Sequence, residues 1–194
     1  MLSSLTTCIL RARGARHAAC ALTMIVVGTM APTAAATTVE PMDMKTQATA
    51  ADRIFVGTVT AVETRPKAIA PKYLETVVTF AVEDVVVGAG AMPSTAELVF
   101  SGGTMGNVRE TIEGMPEVEV GERYVVLLEP DHAPPLVSPV VGFNQGLYRV
   151  VGESRRSAIV RDRHGIPLVA GRTSRGAEPS LDDFLDALVA ARVR

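Results

Sequence analysis

Tryptophan is absent from this 194-residue chain, and five phenylalanines and three tyrosines are its only aromatic side chains. Glycine (16) and proline (12) are numerous by comparison. That balance suits short strands joined by many turns and disfavours long helices. The hydrophobic share is 47% and the charged share 21%, which places the chain among globular rather than disordered sequences.

Cysteine is nearly missing too. Cys8 and Cys20 are the only two, and both fall in the first 36 residues. Those residues read as an export leader. Arg11, Arg13 and Arg16 supply the positive n-region, and an apolar stretch runs from Ala18 to Met30. The stretch is shorter than the roughly 20 apolar residues a bilayer crossing needs. Pro32 breaks it, and Ala34-Ala35-Ala36 offers the small residues of a cleavage site. Cleavage after Ala36 is expected, giving a secreted or periplasmic protein with no transmembrane segment. The mature chain then has no thiol, so disulfide staples and cysteine-ligated metals are excluded.

Histidine is scarce as well. After the leader only His132 and His164 remain, with Asp131 and Asp162 nearby. A zinc site needs three or four ligands in defined geometry, and no helical spacing gathers them here. No metal and no cofactor is expected. Basic charge is also in short supply, since Lys and Arg number 19 against 21 acids and three of the arginines belong to the leader. An acidic domain of this kind is not expected to bind nucleic acid, which requires clustered Lys and Arg.

What is present patterns as β-structure. The expected organisation is a leader over 1–36, a linker over 37–50, a barrel domain over 51–175 and a C-terminal helix over 176–194. Residues 53–64 (RIFVGTVTAVET) predict a strand bent at Gly57. Residues 74–87 predict the longest strand. Val78, Phe80 and Val82 share one face, and the apolar phase then slips to Val85 and Val87, as a β-bulge at Glu83-Asp84 would cause. Further strands are expected over 96–100, 122–128, 147–151 and 157–160, with pairing resumed over 108–113. The strand expected at 122–128 (ERYVVLL) carries a continuous apolar run, which predicts burial on both faces. Residues 101–107 (SGGTMGN) and the proline-rich 130–139 are expected to be loops. Ser180 precedes Leu181, Phe184, Leu185 and Leu188 at helical spacing, with Asp183 placed for a capping box. The fold class expected is mainly β, a small OB-like antiparallel barrel with a C-terminal amphipathic α-helix. Strongly bent strands are what a small barrel needs.

Catalytic signatures are weak. Ser101 heads a Ser-Gly-Gly turn after a strand, with His132 or His164 as a conceivable base, but residue 99 is valine and no helix follows, so the nucleophile-elbow pattern fails. Gly102-Gly103-Thr104-Met105-Gly106 lacks the Gly-Lys-Ser/Thr ending of a phosphate cradle. Glu110, Glu113, Glu117, Glu119 and Glu122 alternate with apolar residues and read as solvated strand faces rather than paired glycosidase carboxylates. Arg155, Arg156, Arg161, Arg163, Arg172 and Arg175 form a basic stretch that offers an acidic partner a surface or balances the acidic barrel. Phe55, Phe80 and Phe100 are expected in the core.

The pieces Ala51 to Val59, Val77 to Val82, Val86-Val87-Gly88, Glu97 to Phe100 and Val120 to Leu128 follow one another in an order that resembles the netrin-like OB barrel. This is the fold of the inhibitory domain of tissue inhibitors of metalloproteinases. The phrases VGERYVVLL, VVGFNQGLYRV and SLDDFL are also similar to those of a group of exported bacterial proteins. The resemblance implies a fold and not the inhibitory mechanism. In the inhibitors an N-terminal cysteine reaches the protease zinc. Thr37 is the expected first residue here, so no functional residue carries over. The expectation is a non-enzymatic extracytoplasmic module that recognises a secreted protease or an envelope protein, with no catalytic residues. A serine-type hydrolase using Ser101 with His132 or His164 is the alternative. A cell-surface assembly protein that pairs through a strand edge is the third.

Overall fold

A computed structural model describes residues 40–88, 92–130, 137–152, 154–155, 158–161 and 180–193. All of them belong to one compact unit, Val39–Arg194. The expected leader and its cleavage site lie outside the described residues.

The architecture is mainly β with a C-terminal helix. In chain order the elements are α1 (Met44–Ala50), β1 (Arg53–Pro66), β2 (Leu74–Val87), β3 (Thr95–Ser101), β4 (Gly103–Met105), β5 (Val108–Glu110), β6 (Arg123–Leu128), β7 (Leu147–Val151), β8 (Ile159–Arg161) and α2 (Leu181–Val193). Six strands form one antiparallel sheet in the order β3-β2-β1-β6-β7-β8, and β4 pairs with β5 alone.

The expected barrel does not close. Among the described residues β3 and β8 end the sheet, and no ladder joins them. The strands do bend, because the β1–β2 ladder loses register three times. Val86, Glu83 and Thr60 are each left without an opposite partner. The bulge expected at Glu83-Asp84 is therefore present. Gly57 sits beside it, in a place where a Cβ would come within 2.8 Å of the Ala81 carbonyl oxygen, so only glycine lets the two backbones approach this closely.

Two cores line opposite faces of the sheet, since successive residues of a strand alternate sides. Ile54, Val56, Val125 and Leu127 face the helices, while Phe55, Tyr124 and Val126 face the other way. On the helical side α2 buries Leu181, Phe184, Leu185 and Leu188, the four positions expected from its spacing. Its start is the expected capping box. Ser180 Oγ accepts from the Asp183 amide at 3.2 Å, and Asp183 Oδ2 accepts from the Ser180 amide at 3.2 Å.

The expected linker over 37–50 instead holds α1. Asp43 caps it by accepting from the Thr46 amide at 2.7 Å. Ala48 is fully buried, and Gln47 is 5% exposed. Arg192, at the end of α2, donates to the carbonyls of Ala48 and Ala51, which satisfies the last turn of α1. Polar, alanine-rich composition hid this helix, because its burial depends on α2 more than a hundred residues away.

On the opposite face Phe80 meets Phe55 and Tyr124 edge-on, with ring centroids 5.7 and 6.4 Å apart. Leu98 and Phe100 of β3 join them, and Met115 and Val118 pack over the group from the irregular segment between β5 and β6. The glutamates expected on strand faces at 113–122 thus lie on this covering segment, not on a strand. Pairing after Val108 ends at Glu110 rather than 113, because its partner strand β4 begins at Gly103, opposite Glu110. The expected loop over 101–107 is mostly the small β4–β5 hairpin, turned at Gly106 with φ 58°.

Candidate functional site

An open cleft of about 570 Å³ lies where the β2 bulge, the entry to β6 and the exit of β7 come together. Thr58, Glu83, Glu122, Arg123 and Arg149 line it, with Gly121 and Gly152 at its rim. Local sequence explains each placement. The bulge leaves Glu83 out of the ladder, so its side chain turns toward β6. Gly121 has a φ of 91°, a left-handed turn that delivers Glu122 and Arg123 into β6. Antiparallel register sets Arg123 opposite both Thr58 and Val150, and Tyr124 opposite Arg149.

Each oxygen of both carboxylates holds an internal donor. Glu83 accepts from the Thr58 hydroxyl at 2.6 Å and from Arg123 at 2.5 Å. Glu122 accepts from Arg149 at 2.6 Å, from the Tyr124 hydroxyl at 2.5 Å and from the Glu119 amide at 3.0 Å. Burial pushes the Tyr124 phenol well above its ordinary range, and its hydrogen bond to Glu122 adds to the shift. The guanidinium groups are less satisfied. Arg123 keeps a buried Nε with no partner, and the Arg149 side chain is 53% exposed with Glu122 on one side only. The cleft therefore presents the exposed N–H donors of Arg149 beside carboxylates that already hold internal donors.

Beside it, Arg155 joins two elements. It binds Asp84 of the bulge and Asp182 in the first turn of α2, each at 2.8 Å. These two carboxylates raise its pKa further. The basic stretch expected as a contact surface is thus, at this residue, an internal tie. Arg156, Arg163, Arg172 and Arg175 lie outside the described residues.

Ser101 is 8% exposed, and its hydroxyl accepts from the Lys67 ammonium at 2.6 Å. His132 and His164, the bases expected to serve it, lie outside the described residues, as do Asp131 and Asp162. Residues 102 and 103 are committed to structure. The Gly102 amide donates to Leu74, and Gly103 packs against the Thr64 and Thr76 side chains. Of the proline-rich 130–139, Val137 accepts from the Ser101 amide and Pro139 from the Glu129 amide. Phe55, Phe80 and Phe100 are all core residues, 0%, 0% and 4% exposed, as expected. Among the described residues no group of three or more His, Cys, Asp or Glu is placed to hold a metal, and no helix is long and apolar enough to cross a membrane.

Sequence reasoning did not assemble Thr58, Glu83, Arg123 and Arg149. They come from four strands and share no motif. The phase slip at Glu83-Asp84 is the one local sign that a carboxylate there would leave the ladder.

Comparison with known proteins places the chain beside none of them: no family model, no curated protein and no solved structure matches it.

Proposed function

We propose that the chain is an exported, non-enzymatic binding module that holds an acidic segment of a secreted or envelope protein in the Arg123–Arg149 cleft. The observation that carries this reading is the imbalance of hydrogen-bonding groups there. Glu83 and Glu122 have their oxygens occupied by internal donors, while Arg149 keeps N–H groups directed to solvent. A ligand that supplies carboxylate or carbonyl oxygens completes the guanidinium, whereas the cleft carboxylates already hold internal donors on each oxygen. The glycine rim at 121 and 152 leaves room for a backbone to lie close. Export rests on the leader residues Arg11 to Ala36. The OB-like reading draws support from the bulged β1–β2–β3 meander, with β1 also paired to β6, since OB barrels are small and partly open.

The test is titration of the purified protein against solubilised envelope and secreted-protein fractions, with Arg149→Glu alongside. Arg149 is the cation beside the 13%-exposed Glu122, so circular dichroism and the urea midpoint of the variant are compared with the parent, and Arg149→Gln, which brings no like charge, is titrated in parallel. Saturable binding that the variant abolishes is expected. Binding that is absent, or equal in the variant, removes the proposal.

A further inference from the structure

The β1–β2 hairpin ends in a loop, residues 67–73, that the cleft does not involve. Its sequence is Lys67-Ala68-Ile69-Ala70-Pro71-Lys72-Tyr73. Ile69 at its apex is 88% exposed, the highest value among the exposed large hydrophobic residues described. The loop is a defined turn. The Lys67 amide donates to the Tyr73 carbonyl at 2.8 Å, and the Tyr73 amide donates to the Ala70 carbonyl at 2.9 Å. Pro66 and Pro71 stiffen it further. The ladder behind continues to Arg65–Glu75 and Pro66–Leu74, so the tip rides on a long hairpin.

Chemistry is layered with distance from the apex. Ile69 leads, with Ala68 and Pro71 exposed beside it. Tyr73 follows at 45% exposure, with Lys72 Nζ 4.8 Å above its ring. No acid occurs between Thr64 and Leu74, whereas Arg65, Lys67 and Lys72 all do. The neighbouring acids are set back on the strands. Glu75 is bound by Arg65 at 2.8 Å, Glu110 accepts from the Leu74 amide at 2.6 Å, and Glu63 on β1 and Glu97 on β3 act on Arg65 behind the tip. A cationic, apolar-tipped projection therefore stands out from a chain with more acids than bases.

We propose that this hairpin tip docks on an anionic lipid surface. Ile69 enters the boundary between headgroups and acyl chains. Tyr73 lies at the headgroup level, where amphipathic rings concentrate, and Lys72 faces the lipid phosphates, while the Lys67 ammonium, held by Ser101 Oγ at 2.6 Å, adds its charge from behind the tip. A lipid surface fits better than a protein pocket, because a one-residue apex offers a small part of the roughly 1,200–2,000 Å² that a stable protein interface buries. One aliphatic anchor with two or three cations gives weak, reversible attachment, which brings the cleft to a membrane without fixing it there. The proposal goes beyond the cleft reading and does not rest on it.

The absence of tryptophan makes the test direct. Ile69→Trp places a single indole at the tip of the full chain, and Val193→Trp places one at the remote end of α2, where the residue is 83% exposed. Each is mixed with phosphatidylglycerol-containing vesicles and with pure phosphatidylcholine vesicles. The expected result is a blue-shifted, iodide-protected emission for Ile69→Trp on the anionic vesicles alone. Val193→Trp is expected to stay unchanged, and adding Lys72→Glu to Ile69→Trp raises the lipid needed about fivefold or more. Comparing the two positions separates the tip from any binding by the apolar N-terminal stretch. No shift on anionic vesicles, which is what a protein-docking tip gives, overturns the proposal. So does an equal shift on neutral vesicles, an equal shift at Val193→Trp, or indifference to Lys72→Glu.

Discussion

Glu83 and Asp84 are adjacent in the sequence, yet each is bound by a different arginine from a different part of the fold: Glu83 by Arg123 of β6 and Asp84 by Arg155 beyond β7. Alternation along a regular strand would send their side chains to opposite faces. The bulge cancels the alternation, and both carboxylates become available on one side of the ladder. One irregularity thus ties β2 to the cleft and, through Arg155 and Asp182, to the start of α2.

The two ties differ in burial, so they differ in weight. Arg123 is 18% exposed and already holds one buried N–H without a partner, so Glu83→Ala removes its only carboxylate. A loss of about 1.5–3 kcal/mol is expected, the range for a hydrogen-bonded charged group. Arg155 and Asp84 are 43% and 39% exposed, and Arg155 retains Asp182 when Asp84 is replaced. Asp84→Ala is expected to cost about 1 kcal/mol or less. Urea unfolding of the two variants measures the difference. Equal midpoints would show that the bulge, and not the Glu83–Arg123 pair, carries the stability.

Tyr148 and Gln47 make the corresponding polar contact inside the helical core. The Tyr148 hydroxyl donates to Gln47 Oε1, while Gln47 Nε2 donates to the Met42 carbonyl at 2.8 Å. The Tyr148 ring also meets Phe184 with centroids 4.9 Å apart. Tyr148→Phe keeps the ring and removes the donor for a buried amide oxygen, so a loss of about 1–3 kcal/mol is expected. Gln47→Leu removes the acceptor together with its bond to Met42. The double variant is expected to be less destabilised than the sum of the singles, because the orphaned acceptor no longer exists. Strict additivity in a double-mutant cycle would mean that the contact does not hold α1 on the sheet.

Strand positions were legible because apolar periodicity is a local property. Residues 74–87 and 147–151 are strands over the spans expected, and the phase slip in the former located a bulge. The α2 boundary was legible through Ser180 and Asp183, whose contact spans one helical turn. Elsewhere the deciding partner lay far along the chain. Nothing in residues 44–50 announces that Arg192 will close their last turn. Barrel closure is likewise a relation between β3 and β8, and bent strands are necessary for it without being sufficient. The cleft was the least legible feature. Its charged residues are ordinary surface types until register sets Arg123 against Thr58 and Tyr124 against Arg149.

Ser101 separates the hydrolase reading from the binding reading. Its hydroxyl oxygen accepts from Lys67 Nζ, which as an ammonium supplies a proton donor and not the base that a nucleophile requires. Gly102 spends its amide on Leu74 and does not offer it to an oxyanion. Incubation with a fluorophosphonate probe, followed by intact-mass measurement, is therefore expected to leave Ser101 unmodified. A stoichiometric adduct that Ser101→Ala prevents would restore the serine-hydrolase alternative.

Tyr124 sets an alkaline limit on the fold. Its phenol is raised above the ordinary value of 10.0, first by burial and then by the hydrogen bond to Glu122. A group whose folded pKa exceeds its unfolded pKa contributes fully below the unfolded value and loses that contribution as pH rises toward the folded one. Above about pH 10 the unfolded chain releases this proton and the folded chain keeps it, so stability falls with pH. Ionised Tyr124 would also face the Glu122 carboxylate, which Arg149 only partly offsets. Tyr124→Phe deletes the titrating group and leaves the packing against Phe80 nearly unchanged. Its urea midpoint is expected to lie below that of the parent at neutral pH, because Glu122 loses a donor, and the gap is expected to narrow as pH climbs past 10. A gap that stays constant across that range would show that Tyr124 ionises as easily in the folded protein as in the unfolded chain.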